Sequence, residues 1–197
     1  MDRNSTYKYY EKELKRMLSN DDFKLYLGGN VKNNIMKYSE LKNYKDINEL
    51  LPNDQDYKII LIETKKNSGH WCCIERNNNI IYWFDSYGLK FDEELKYVST
   101  IMKKLLGEEE HQMERLMRTC KSLGLKCDYN KHNFQSDNEN VSTCGRWCVI
   151  ALQMLRLKYK FDETCEFFER QSFNKKRPFD ILAVDFTSVK GLKPIGY

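Results

Sequence analysis

Apolar and polar positions change period along the chain, and the changes mark its elements. Residues 7–18 repeat apolar side chains at helical spacing, with Tyr10, Leu14, Met17 and Leu18 on one side, and predict an amphipathic helix. Residues 21–34 carry Gly28-Gly29-Asn30 and read as loop. Residues 46–51 predict a short helical turn stopped by Pro52. Three apolar runs rich in β-branched and aromatic residues follow: 57–63 (YKIILIE), 70–75 (HWCCIE) and 80–84 (IIYWF). The last two are joined by Arg76-Asn77-Asn78-Asn79, a tight-turn signal, so the three runs predict an antiparallel meander. Helical patterns return at 91–106, with Asp92 as the expected cap, and at 108–123. Residues 125–129 and 133–135 read as edge strands. Residues 144–159 are apolar nearly all round, as a buried central helix is. Helices over 161–173 and 178–184 close the chain. Strands grouped among helices, without strict alternation, predict the α+β class.

Composition narrows this picture. A chain of 197 residues with 41 % hydrophobic and 31 % charged residues suits one soluble globular domain that needs no disulfide staples. That domain is expected to comprise residues 1–197, with the helix at 7–18, a core from about 20 to 160, and closing helices over 161–190. The polar start of the chain is not a secretory signal, and no run reaches the length of a membrane span. The seven cysteines are therefore expected as free thiols in a reducing, intracellular setting. The net charge of +4 gathers at Lys121, Lys126 and Lys131, at Arg156, Lys158 and Lys160, and at Lys175, Lys176 and Arg177. Such clusters suit a solvated surface or non-specific contact with DNA phosphates.

The candidate chemistry lies where these elements meet. Cys144 is placed at the entry to the central helix, where unpaired backbone N–H groups favour the thiolate, the nucleophilic form. Gly145 follows it and would let a substrate carbonyl approach the backbone. His70 begins the middle strand of the meander and Asp85 follows the third, so the two are expected side by side. Thiol, imidazole and carboxylate then make a nucleophile, a base and the group that orients the base. Gln135 offers a side-chain N–H for an oxyanion, a role open also to Asn133 or Asn138.

In order along the chain, Gly69-His70-Trp71, Phe84-Asp85-Ser86-Tyr87-Gly88, Gln135 and Ser142-Thr143-Cys144-Gly145-Arg146-Trp147-Cys148 resemble the adenovirus maturation proteases and the wider clan of SUMO and ubiquitin-like proteases. Leu25-Tyr26-Leu27-Gly28-Gly29 resembles a segment that precedes the meander in the adenovirus enzymes. Asp85 as the acid is like the SUMO proteases; the adenovirus enzymes use Glu. The resemblance covers about residues 20 to 160. It implies one cysteine-protease domain with a central mixed sheet packed on the helix that starts at Cys144, and a triad of Cys144, His70 and Asp85 with Gln135 at the oxyanion. Trp71, Leu27, Gly28 and Gly145 would contact substrate, which the clan cuts at Gly-Gly or Gly-X sites.

The resemblance further implies a DNA-virus or virophage enzyme that processes capsid or other precursors, acting as a monomer in host cytoplasm or viral factory, or inside the virion. No cofactor is required; DNA, or a peptide pairing with Cys127, would stimulate it. The rival readings are an isopeptidase that removes ubiquitin-like proteins, a binding module on an inactive protease fold, and a zinc site from Cys120, Cys127, His132 and Cys144, whose spacings match no common zinc motif. The remaining cysteines, Cys72 among them, read as packing residues.

Overall fold

The computed structural model describes residues 3–28 and 31–188. The chain opens with α1 (Arg3–Lys15), which starts earlier than the apolar spacing indicates and leaves Met17 and Leu18 beyond its end. Residues read as loop form α2 (Asn20–Leu27) instead. The cause is local: the Ser19 side chain accepts the Asp22 N–H while the Asp22 carboxylate accepts the Ser19 N–H, a reciprocal cap that starts a helix. A 3-10 turn (Val31–Asn34), strand β1 (Ile35–Lys37), a second 3-10 segment (Tyr38–Asn43) and α3 (Ile47–Leu50) lead to the meander. Asp46 caps α3 through the N–H groups of Asn48 and Glu49.

The meander forms where the apolar runs place it, as β2 (Tyr57–Lys65), β3 (Ser68–Asn77) and β4 (Ile80–Phe84). Asn78, at a φ of 56°, turns the chain between β3 and β4, a conformation asparagine tolerates better than most residues. The next helical expectation breaks. Residues 91–106 divide into a 3-10 turn (Glu93–Tyr97) and α4 (Thr100–Leu106), whose cap is Ser99. Asp92 does not cap; its buried carboxylate accepts the Tyr38 hydroxyl at 2.7 Å and the Glu114 N–H at 2.8 Å. Helix α5 (Gln112–Ser122) starts later than expected, and Glu108 instead accepts the Glu63 N–H of β2 at 2.9 Å. Strand β5 (Lys126–Tyr129) follows; residues 133–135 form no strand. Helices α6 (Cys144–Arg156), α7 (Phe161–Lys175) and α8 (Phe179–Phe186) complete the described chain, and the end of the expected C-terminal helical region, from 189 on, lies outside the described residues.

The five strands make one mixed sheet in the order β1-β2-β3-β4-β5, antiparallel across the meander and parallel at both edges. Both faces are buried. Ile59, Leu61, Trp71, Cys73, Tyr82 and Phe84 pack toward α6 and its neighbours α2, α7 and α8. Ile60, Ile62, Cys72, Ile74, Ile81 and Trp83 pack toward α5 and the 38–51 region. Double burial explains why β2 reads as a continuous apolar run, with alternate residues serving opposite cores. The fold is α+β, with helices on both sides of one mixed sheet. Every residue of α6 from Cys144 to Leu152 is buried, so the first turn of this helix is fixed by packing all round.

Candidate active site

The site is built at one end of the meander. Gly69 pairs with Glu63, and a Cβ at Gly69 would fall 1.9 Å from the Ile62 carbonyl oxygen, so only glycine lets β3 begin this close to β2. His70 follows. Across the sheet, Cys73 pairs with Phe84, so Asp85 continues the register opposite Cys72 and on the same face as His70. His70 Nε2 lies 3.0 Å from Asp85 Oδ2, and Cys72 Sγ donates to the same oxygen at 3.2 Å. Asp85 is 0 % exposed. Its Oδ1 accepts the Tyr87 N–H at 2.7 Å, and its backbone carbonyl accepts Asn130 Nδ2 at 2.7 Å. The Tyr87 ring stacks on the imidazole with centroids 5.1 Å apart.

With Nε2 facing Asp85, Nδ1 is the ring nitrogen left free, and Cys144 lines the same cavity as the imidazole. Burial disfavours an imidazolium here, but the neighbouring Cys72 and Asp85, the hydrogen bond to the Asp85 carboxylate and the nearby Cys144 outweigh it and hold the His70 pKa well above its usual value. Burial, with Asp85 alongside, pushes the Cys72 thiol well up; Cys72 stays neutral, and the pull on His70 is that of Asp85. A second carboxylate stands close by. Glu94 Oε1 is 3.6 Å from His70 Nε2, and burial raises Glu94 to about 7.

Cys144 is the first residue of α6 and 4 % exposed. Its surroundings come from both ends of the chain. The Ser142 N–H donates to the Leu14 carbonyl of α1 at 2.7 Å. The Thr143 hydroxyl donates to Asp180 on α8, whose other oxygen accepts the Ser136 N–H and hydroxyl at 3.0 and 2.7 Å. The buried Arg146 binds Glu13 on α1 and Thr187 beyond α8. The loop before the thiol is thus held at both ends by one aspartate.

Gln135 lies beside Cys144 on the wall of a cavity of about 620 Å³ that His70, Tyr87, Glu94, Asn133 and Ser142 also line. Its Oε1 accepts the Ser86 hydroxyl at 3.0 Å; its Nε2 donates to the Tyr87 hydroxyl at 3.0 Å and, more weakly, to the Val141 carbonyl at 3.4 Å. The backbone N–H groups of Phe134 and Gln135 both donate to the Ser86 carbonyl, which fixes the segment without a strand. Asn133 lines the same cavity and Asn138 does not.

His70, Asp85, Cys144 and Gln135 therefore share one place, while none of the four residues expected at the substrate is on the wall of its cavity. Trp71 points to the other face of β3, packs edge-on against Phe23 at 5.1 Å, and opens on a neighbouring groove. Leu27 is core, and Gly28 ends α2 with a φ of 67° and an N–H bonded to the Lys24 carbonyl. Gly29 lies outside the described residues. At Gly145 a Cβ would stand 3.1 Å from Leu18 Cβ and 3.2 Å from Phe23 Cζ, so the missing side chain admits neighbouring core residues. Cys148 turns inward and donates to the Trp71 carbonyl. Cys127 is exposed on β5 beside Cys120. Cys120, Cys127, His132 and Cys144 do not gather into one cluster among the described residues. In the basic clusters, Arg177 is tied to Asp185 at 2.6 Å and Arg156 stacks over Tyr57 at 4.9 Å.

The sequence alone gave no role to Cys72, Tyr87, Glu94 or Asp180. The two-residue alternation from His70 would have placed Cys72 with it. Glu94 was hidden in an acidic run that reads as a helix start, and nothing local marks Asp180.

No family model matches the chain. A curated protein of Sputnik virophage, "Uncharacterized protein V9", is 34 % identical over 168 residues, covering 82 % of this chain and 91 % of its own length. The chain belongs to the V9 family. A virophage relative agrees with the viral setting expected from the sequence. Among the described residues of this V9-family chain, no helix is long and apolar enough to cross a membrane.

Proposed function

We propose that this V9-family protein is a cysteine endopeptidase that processes viral precursor proteins at Gly-Gly or Gly-X type sites. One observation carries the reading: His70, paired with Asp85 at 3.0 Å, lines one open cavity with Cys144, the first residue of a buried helix. In this reading Cys144 Sγ attacks the scissile carbonyl carbon and its proton passes to His70 Nδ1. Asp85 holds Nε2 and stabilises the imidazolium. The tetrahedral oxyanion takes hydrogen bonds from the Cys144 N–H and from Gln135 Nε2, which exchanges its weak contact with Val141 for the substrate. The imidazolium then protonates the leaving amine, and water attacks the thioester with His70 as base. Apart from substrate and water, these steps use only groups of the chain. Host cytoplasm, viral factory or virion, a monomeric state, and stimulation by DNA or by a peptide at Cys127 belong to the same proposal and rest on the sequence resemblance.

The test is limiting iodoacetamide near neutral pH, with the modified cysteine mapped by mass spectrometry, followed by a panel of Gly-Gly precursor peptides and ubiquitin-like substrates. Cys144 is expected to react first, to lose that advantage in His70→Ala, and to be required for peptide cleavage. An inert Cys144 beside another, reactive cysteine sinks the reading; cleavage confined to ubiquitin-like conjugates moves it to the isopeptidase.

A further inference from the structure

Cys72 has no part in the hydrolytic steps above, yet it sits inside the acid–base pair. One donor atom each of His70, Cys72 and Asp85 lies within 4.8 Å of the other two, and all three residues are buried. Two of the separations are 3.0 and 3.2 Å. Tetrahedral zinc with ordinary bonds to nitrogen, oxygen and sulfur sets its donors about 3.3 to 3.6 Å apart, so Asp85 needs to part from each of the other two by only a few tenths of an ångström. A second feature points the same way. Glu94 Oε1, on the cavity wall and 6 % exposed as a residue, has no hydrogen-bond partner and stands 3.6 Å from the same imidazole nitrogen. A buried carboxylate oxygen that accepts no hydrogen bond is costly, and a cation among these donors would satisfy it.

We propose that His70, Cys72 and Asp85, with Glu94 completing the set from slightly further out, form a zinc site that reversibly switches the Cys144 thiol off. The mixed nitrogen, sulfur and oxygen donors select zinc over magnesium or calcium, which take oxygen. Binding releases to solvent the Cys72 proton, one proton of the His70 imidazolium and any proton held by Glu94, and leaves three anionic ligands and one neutral imidazole around the dication. With the metal on Nε2, the remaining imidazole proton resides on Nδ1. That nitrogen then faces Cys144 as a donor and accepts no proton from it, so the base is lost while the fold stands. The switch rests on the hydrolase reading; the binding of metal does not.

The test titrates metal-free, full-length protein with cobalt(II) and then displaces it with zinc(II). One equivalent is expected to give the near-ultraviolet thiolate-to-cobalt absorption and tetrahedral visible bands. Both should survive in Cys144→Ala and vanish in Cys72→Ser, which keeps a hydroxyl donor for Asp85, and in His70→Ala; circular dichroism checks that each variant is folded. Glu94→Gln should weaken zinc roughly 10- to 100-fold. Absence of stoichiometric binding to the wild type overturns the proposal. So does a signal lost in Cys144→Ala and kept in Cys72→Ser, because the metal then sits on the nucleophile. Peptide cleavage measured separately, with and without one equivalent of zinc, tells a failed switch from a failed hydrolase reading.

Discussion

Gly145 lies bare against Leu18, whose Cβ would stand 3.1 Å from a methyl group added to the glycine. Leu18 is 3 % exposed, and its Cβ moves only with the backbone between α1 and α2. The glycine after the thiol therefore lets α6 approach the N-terminal helices, and this contact sets where the first turn of α6, and Cys144 with it, comes to rest.

Gly145→Ala is expected to destabilise the protein. Helix propensity favours alanine by up to about 1 kcal/mol, but less so in a first turn. Overpacking against Leu18 and the fully buried Phe23 costs about 1–3 kcal/mol. A net loss of about 1 kcal/mol lowers the melting temperature by roughly 2–4 °C, measurable by thermal denaturation. An unchanged melting temperature with lost cleavage would return Gly145 to the substrate role read from the sequence.

Tyr87→Phe separates the two halves of the site. The ring still stacks on His70, but the hydroxyl that accepts Gln135 Nε2 is gone. Thiol alkylation needs no oxyanion and should keep its rate. Peptide cleavage should fall at least ~10-fold, short of the ~100-fold or more expected for removing the donor itself in Gln135→Ala. Equal losses in both assays would show that the hydroxyl acts through His70.

Asp85→Asn should act through the imidazole tautomer. An amide N–H placed toward Nε2 makes that nitrogen the acceptor and moves the ring proton to Nδ1, the nitrogen that takes the Cys144 proton in the proposed mechanism. Cleavage is expected to drop roughly 10²- to 10⁴-fold with little change in melting temperature. Alkylation should then rise with pH as for an ordinary thiol. A neutral-pH alkylation advantage equal to wild type would show that Asp85 does not orient the base.

The meander and the pairing of His70 with Asp85 were legible because each rests on short-range pattern. Strand alternation and the Asn78 turn fix the register, and the register alone brings position 85 beside position 70. Helix α6 was equally plain from its apolar surround. What escaped depends on partners far away in sequence. The Ser19–Asp22 cap competes with a glycine pair that looks like loop. Asp92 looks like a cap and instead anchors Tyr38 and Glu114. Trp71 and Gly145 sit within motifs of the site yet face the core, because strand alternation and helix packing, not proximity in sequence, decide where a side chain points.

Glu75 should make stability fall with rising pH. It is 0 % exposed, sits on β3 between Tyr57 and Tyr82, and neither carboxylate oxygen has a hydrogen-bond partner. Burial raises its pKa to about 8, against the pull of Arg156 and Lys158. A folded-state pKa above the unfolded one means the protonated form stabilises fully below the ordinary value of 4.5, and that stability is lost as pH climbs toward 8. Glu75→Gln removes the titration. Its melting temperature relative to wild type should rise steadily from pH 5 to pH 9, with a gap on the order of a few kcal/mol at the alkaline end. A gap independent of pH would mean that the carboxylate finds a counter-charge in solution.

Asp180 is expected to control the thiol without touching it. From α8 its two oxygens take the Thr143 hydroxyl on one side and the Ser136 N–H and hydroxyl on the other, closing the loop that delivers Cys144 to the helix start. Removing a charged acceptor from three donors costs about 1.5–3 kcal/mol per bond at most, shared with what water restores, so Asp180→Ala should fold with a lowered melting temperature. The more telling readout is the thiol. With Thr143 released, the first turn of α6 loses its fixed approach to His70, and alkylation of Cys144 should slow at neutral pH and recover above the ordinary thiol range. Asp180→Asn, which keeps one acceptor oxygen, should fall between alanine and wild type. If Asp180→Ala lowers stability but leaves the neutral-pH rate of Cys144 unchanged, then packing of α6 alone positions the nucleophile and the C-terminal helices serve only the fold.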